Sequence, residues 1–260
     1  MKKMMPEVYN SRARKILCLL LILLWQNSAG YQGYACIMPM VTSEPEPVPK
    51  EILLGDFDPA THPDFAQITA YNAHQVMYLQ KDAKLALDSL VTLAEQSGIR
   101  LNVISATRNF QTQKRIWENK IAMKSSGSFA TLPRNRQAGI IREILDYSAM
   151  PGTSRHHWGT DVDFLSVELA FWRGNTGKKT FAWLSENAPE FGFELVYSRG
   201  REGGHNYEPW HWSYVPLSHK MLEDYIATIS YDDIQGFSGA DLAEEMEIIP
   251  RYLQNIFAYR

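Results

Sequence analysis

The stretch Ser154-Arg155-His156-His157-Trp158-Gly159-Thr160-Asp161-Val162-Asp163 crowds two histidines and two carboxylates together, and well downstream comes Glu208-Pro209-Trp210-His211-Trp212. Neutral imidazole nitrogen and carboxylate oxygen are good zinc ligands, and a catalytic zinc site takes three protein ligands and leaves one position open. His156, Asp163 and His211 form one such set, with His157 competing with His156 for its place. Glu208, a carboxylate outside the set, is suited to take a proton from an attacking water. The spacing contains one difficulty. In a fully extended 208–212 segment Glu208 and His211 point to opposite faces, so a bend or bulge is required, which Pro209 favours.

Outward from these motifs, the chain alternates helical and extended signals. Val162–Phe164 and Trp210–Val215 read as strands carrying the two polar clusters, and Ile99–Ser105 and Glu194–Tyr197 as further strands. Leu87, Leu90, Val91 and Ala94 fall at helical spacing, which predicts a helix over 82–97 ended by Gly98. Phe110, Trp117 and Ile121 predict a second helix from beyond Arg108 to Lys124. The 125–139 segment reads as a loop, and 180–187 as a helix capped by Thr180. From Leu217 onward the signals are helical, with Pro250 marking a break or a first turn. This order predicts an α+β domain around a small, mainly antiparallel sheet, flanked by helices and followed by a helical C-terminal extension over 217–260.

The whole chain has 260 residues, 45% of them hydrophobic, enough for one large core and too many for intrinsic disorder. A net charge of -3 gives no basic excess for nucleic-acid binding. The two cysteines, Cys18 and Cys36, exclude a multi-thiolate metal site, so a bound metal must use histidine and carboxylate.

At the N-terminus Lys2, Lys3, Arg12, Arg14 and Lys15 face only one acid, Glu7, and precede the apolar run Ile16–Trp25. Residues 1–35 therefore read as a signal peptide or N-terminal anchor, and the protein as exported to the periplasm or cell envelope. The apolar run falls short of the roughly 20 residues a helical span needs, so membrane attachment is expected only through an uncleaved leader or a lipid on Cys36. Prolines 45, 47 and 49 make 36–50 an extended linker, and the folded core is expected over 51–216. The expected state is a monomer.

Ser154-x-His156-x-x-Gly159-x-x-x-Asp163 together with Glu208-x-Trp210-His211 resembles the paired signature of the VanY-type D-alanyl-D-alanine carboxypeptidases, within the wider lysostaphin, carboxypeptidase and Hedgehog-like zinc peptidase fold. Ser105-Ala106-Thr107-Arg108-Asn109-Phe110-Gln111-Thr112-Gln113 resembles that family's substrate-binding stretch. The resemblance implies zinc on His156, Asp163 and His211, with Glu208 as catalytic base. It also implies Arg108 on the free carboxylate of a peptidoglycan stem peptide, and Gln113 and Ser154 helping to position that peptide. The implied activity is removal of a terminal D-amino acid. An L,D-carboxypeptidase, an endopeptidase and a non-hydrolytic zinc-containing binding module are the alternatives on the same fold.

Two positions depart from the family pattern: Asp161 stands where Ala is usual, and Ser213 where an Arg is common. Asp161 adds negative charge near the expected metal, either tuning the site or acting as an outer partner of its ligands, and Ser213 removes a contact the family makes. On the residues alone, Arg108 reads as one half of a surface ion pair, His157 as a partly exposed neighbour or pocket wall, and His205 as a solvated loop residue flanked by Gly203, Gly204 and Asn206. Trp158, Trp210 and Trp212 read as packing residues, and His62, His74 and His219 as structural or surface residues.

Overall fold

A computed structural model of the chain describes residues 46–68, 76–201 and 203–254. The leader, both cysteines, most of the linker and His74 lie outside the described residues. In chain order the elements are α1 (Lys50–Leu54), β1 (Phe65–Ile68), β2 (Met77–Gln80), α2 (Lys81–Gln96), β3 (Val103–Ser105), α3 (Phe110–Ser125) and α4 (Arg134–Leu145). They continue with β4 (Asp161–Phe164), α5 (Leu169–Arg173), α6 (Asn175–Asn187), β5 (Phe193–Leu195), β6 (His211–Tyr214) and α7 (Val215–Thr228). The protein is α+β, as its sequence predicts.

Strands β3, β4, β6 and β5 lie in that order in one sheet, every neighbouring pair antiparallel, while β1 and β2 form a separate antiparallel ribbon. Register sorts the side chains. Val162 pairs with Trp212, and Leu195 also faces Trp212. With Phe164 and Phe193 they join a core completed by Leu87, Leu90 and Ala94 of α2 and Leu184 of α6. Side chains alternate along a strand, so the opposite face carries Asp161 paired with Ser213 and Asp163 paired with His211. One sheet face is thus apolar and the other holds the polar motif. A second core joins Trp117 and Ile121 of α3, Ile141 and Ile144 of α4, Trp158, and Met221 and Tyr225 of α7.

Local signals explain most boundaries. Helix α3 starts where Asn109 Oδ1 accepts a hydrogen bond from Thr112 N at 2.9 Å, and buries Gln113, Trp117, Ile121 and Ser125 at four-residue spacing. Gly98, at φ 68°, closes the end of α2.

The differences from expectation have physical causes. The expected loop over 125–139 contains the start of α4, whose first turn, Arg134-Asn135-Arg136-Gln137, is polar and shows no apolar period until Ala138. Thr180 is no cap: α6 begins at Asn175, and Thr180 lies buried inside it. The extension after residue 217 is a continuous helix only to Thr228. Beyond it, short turns at Tyr231–Asp233, Ala240–Leu242 and Ile249–Leu253 pack Ile234, Leu242 and Leu253 onto the second core. The last linker residues are anchored, since Val48 N donates to Asp224 Oδ2 at 2.8 Å and Lys50 pairs with Asp233.

Gly159 joins the histidine turn to β4 at φ 72°, and a Cβ there would lie 2.3 Å from Phe65 Cε1. Gly127, at φ 81°, has open space around it. Gly159→Ala is therefore expected to cost about 3 kcal/mol or more, combining left-handed strain with overpacking, against about 1–2 kcal/mol for Gly127→Ala. Urea denaturation of the two variants measures the difference, and equal losses would contradict the packing assigned to Gly159.

Candidate functional site

The first histidines sit on a single 3-10 turn, Arg155–Trp158, entered from Ser154 and left through Gly159. Within it the two rings have different surroundings. His156 Nδ1 lies 2.8 Å from Ala106 O, which leaves Nε2 to face the sheet. His157 uses both nitrogens, Nδ1 at 2.6 Å from Arg108 O and Nε2 accepting from Gly152 N at 3.0 Å. It is fully buried, neither partly exposed nor a pocket wall, and burial pushes its pKa down to about 3. Both His157 nitrogens are thus engaged, whereas His156 keeps Nε2 for another partner.

The difficulty over Glu208 resolves in the backbone. Strand β6 starts only at His211, and Glu208-Pro209-Trp210-His211 is a tight turn, with His211 N donating to Glu208 O at 3.2 Å. Proline in the second position suits such a turn. The turn brings Glu208 Oε2 to 3.7 Å from His211 Nδ1. Trp210 Nε1 donates to that same Oε2 at 3.1 Å, so Trp210 orients the carboxylate besides packing.

His156, Asp163 and His211 offer ligand atoms that all lie within 4.8 Å of one another. His156 Nε2 is 3.3 Å from Asp163 Oδ2, and His211 Nδ1 is 3.2 Å from Asp163 Oδ1. Zinc bonds of about 2.0–2.1 Å in tetrahedral array put neighbouring ligand atoms roughly 3.3 Å apart, so both spacings fit. Neither contact replaces a ligand role: His156 Nε2 and Asp163 Oδ1 are buried without a hydrogen-bond partner among the described residues. Two imidazole nitrogens and a carboxylate oxygen are a donor set that fits zinc.

Behind these three side chains lies a polar layer. Asp161 Oδ2 accepts from Arg155 Nε at 2.9 Å and lies 2.8 Å from His211 Nε2, while Oδ1 accepts from Thr160 Oγ1 at 2.7 Å and Ser213 Oγ at 2.6 Å. The two departures from the family pattern, Asp161 and Ser213, are thus cross-strand partners. Burial alone would raise the Asp161 pKa, but Arg155 and His211 hold it well below the usual carboxylate range. Glu208 is the opposite case, pushed by burial up to about 8.

A narrow recess lined by Ser154, His156, Tyr197, His205 and Glu208 adjoins a wider cleft of about 460 Å³ bordered by Lys120, Asp163, Trp210 and His211. Arg108 lines both. Its backbone is fixed by His156 O and His157 Nδ1, and its Nε is buried without a hydrogen-bond partner among the described residues. Among the described residues it makes no surface ion pair.

Gln113 is placed otherwise than the resemblance implies. It is 1% exposed and lines neither space; its Nε2 donates to Ala149 O at 2.7 Å, bracing the loop that forms one wall. His205 is buried, not solvated, with Nδ1 at 2.6 Å from Leu145 O. Sequence reasoning passed over Tyr197, whose ring stacks 4.7 Å from His211, and Lys120. Lys120 had a signal: it lies seven residues after Gln113, two turns along the same helix.

The family model for VanY, D-alanyl-D-alanine carboxypeptidase, matches residues 76–217. The protein named "Putative carboxypeptidase YodJ" of Bacillus subtilis (strain 168) is 28% identical over 159 residues, covering 58% of this chain and 51% of that protein. A D-alanyl-D-alanine carboxypeptidase of Enterococcus faecium is 35% identical over 91 residues, covering 34% of this chain and 29% of the other. The matched region is thus about half or less of these two relatives. Among solved structures, VanYB in complex with D-alanine-D-alanine is 24% identical with a TM-score of 0.46, over 66% of this chain and 92% of that one. The LdcB LD-carboxypeptidase is 23% identical with a TM-score of 0.48, over 66% and 76%. A model match across more than half of the sequence, spanning both motifs, places the chain in the VanY D-alanyl-D-alanine carboxypeptidase family.

Proposed function

We propose that the protein is an exported zinc carboxypeptidase that hydrolyses the terminal D-amino acid of peptidoglycan stem peptides. His156, Asp163 and His211 hold the metal, Glu208 is the base, and Arg108 receives the substrate's free carboxylate. One observation carries the reading: where the recess meets the cleft, converged metal-binding atoms and a buried carboxylate stand with a guanidinium whose Nε has no hydrogen-bond partner among the described residues. A planar guanidinium offers a carboxylate two parallel charge-assisted hydrogen bonds, which favours cleavage at a chain terminus over endopeptidase action. Zinc, when bound, supplies Lewis-acid polarisation of the scissile carbonyl, acidification of a water, and positive charge that draws Glu208 into its ionised form.

The chain's own residues do the rest. Glu208, anchored at one oxygen by Trp210, takes the proton of the attacking water and returns it to the leaving amine. Arg108 fixes the substrate so that the terminal peptide bond lies at the metal-facing side of the cleft. Ser154 lines the recess beside it. Export is supported by the basic, then apolar composition of residues 1–35.

The direct test incubates the purified protein with pentapeptide and tetrapeptide stems and identifies the released residue by mass. Release of D-alanine from the pentapeptide is expected; cleavage of the tetrapeptide alone would replace D,D- with L,D-specificity. Glu208→Gln should keep zinc and lose activity by about 10²–10⁴-fold. Arg108→Ala should raise KM on stems with a free terminus and leave the slow cleavage of amidated stems unchanged; equal effects on both would contradict the carboxylate role.

Burial of Glu208 also sets a pH dependence in the metal-free chain. Its proton is held to about pH 8 in the folded state, against an ordinary value of 4.5. Between these values the folded state binds the extra proton, so this group's contribution to stability falls as pH rises. Metal-free Glu208→Gln should accordingly be more stable than the native chain at pH 8, by up to about 4 kcal/mol, with the difference vanishing below pH 4.5. Denaturant titrations at the two pH values measure it.

A further inference from the structure

Asp161 is completely buried and lines neither the recess nor the cleft, yet its two oxygens have four hydrogen-bond partners among the described residues. Thr160, Ser213 and Arg155 approach it as donors. An ionised carboxylate accepts only, so the fourth partner, His211 Nε2, must carry a proton. Ser213 has its own constraint: its Oγ accepts from Arg155 Nη2 at 2.7 Å and donates to Asp161. The direction of every bond in the network is therefore fixed: four end on Asp161, and the fifth, from Arg155 to Ser213, feeds one of them.

The consequence reaches the metal site. With Nε2 committed as a donor, the lone pair left to His211 is on Nδ1, the atom 3.2 Å from Asp163 Oδ1. His156 has the reverse arrangement, Nδ1 toward Ala106 O and Nε2 toward Asp163 Oδ2. The two histidines meet Asp163 through different ring nitrogens, so only a partner specific to each ring can present the right atom. For His156 that partner is a backbone carbonyl. For His211 it is Asp161, whose charge is matched by Arg155 with both groups fully buried.

We propose that Asp161 is a positioning residue for the metal centre: with Arg155, Thr160 and Ser213 it holds the His211 ring so that Nδ1 is always the ligand atom. The proposal rests on the reading of His156, Asp163 and His211 as metal ligands. A carboxylate behind a ligating histidine typically contributes 10–100-fold to metal affinity. Arg155 prevents the second buried acid from adding net negative charge at the site, and its removal alone would leave that acid unpaired.

The test measures zinc affinity of the purified full chain by competition with a chromogenic chelator, alongside thermal unfolding of the same samples. Asp161→Ala strands a buried Arg155 and is expected to lower both Tm and affinity. The double variant Arg155→Met, Asp161→Ala removes both charges, and is expected to regain most of the lost Tm while its zinc affinity stays 10–100-fold below native. Affinity that returns to native together with Tm would overturn the positioning role, as would native affinity in Asp161→Ala. A native chain that takes up no zinc would instead overturn the metal reading itself, and this inference with it. On the native zinc-loaded protein, long-range ¹H–¹⁵N correlation should show the His211 proton on Nε2; a proton on Nδ1 would overturn the proposal even if neither variant folds.

Discussion

The site depends on the register between β4 and β6. Asp163 lies opposite His211, and Asp161 opposite Ser213, on the one face of the sheet that is not packed by helices α2 and α6. A slip by one residue would turn these four polar side chains into an apolar core and bring Val162 and Trp212 to the cleft. Burial of that apolar face therefore enforces the geometry of the polar face. Helices and chemistry are coupled through strands of only four residues each.

The electrostatics follow from how deeply the site is buried. Asp161 and Asp163 stay ionised because arginine and histidine stand against them, whereas Glu208, with weaker compensation, is pushed toward its neutral form. Carboxylates that all stand against His211 are thus driven to different protonation states by their neighbours. That separation suits the proposed division of labour, in which permanently charged groups bind or orient and a group with a raised pKa exchanges protons.

Much of this was legible in the sequence. Two motifs with fixed spacing named His156, Asp163, His211 and Glu208, and apolar periodicity located α2 and α3 to within two residues. What escaped prediction has recognisable physical origins. The bend at Pro209 was expected, but Glu208 N pairing with Tyr197 O, which ties it to the fold, is a tertiary contact with no local signature. The burial of His205 depends on Leu145, sixty residues away. Helix α4 hides its start behind a polar first turn, and Gln113 looks like a ligand-binding residue until its amide is found on Ala149. Asp161 and Ser213 each looked like an isolated departure from the family pattern; only strand pairing makes them partners.

The central claim is that three side chains converge on one metal ion through specified atoms. Anomalous diffraction at the zinc edge, from crystals of the protein grown with zinc, tests it most directly. The account predicts one strong peak bonded to His156 Nε2, His211 Nδ1 and a carboxylate oxygen of Asp163, with Glu208 outside the bonded set. A peak held by His157, or bonded to His211 through Nε2, would contradict it.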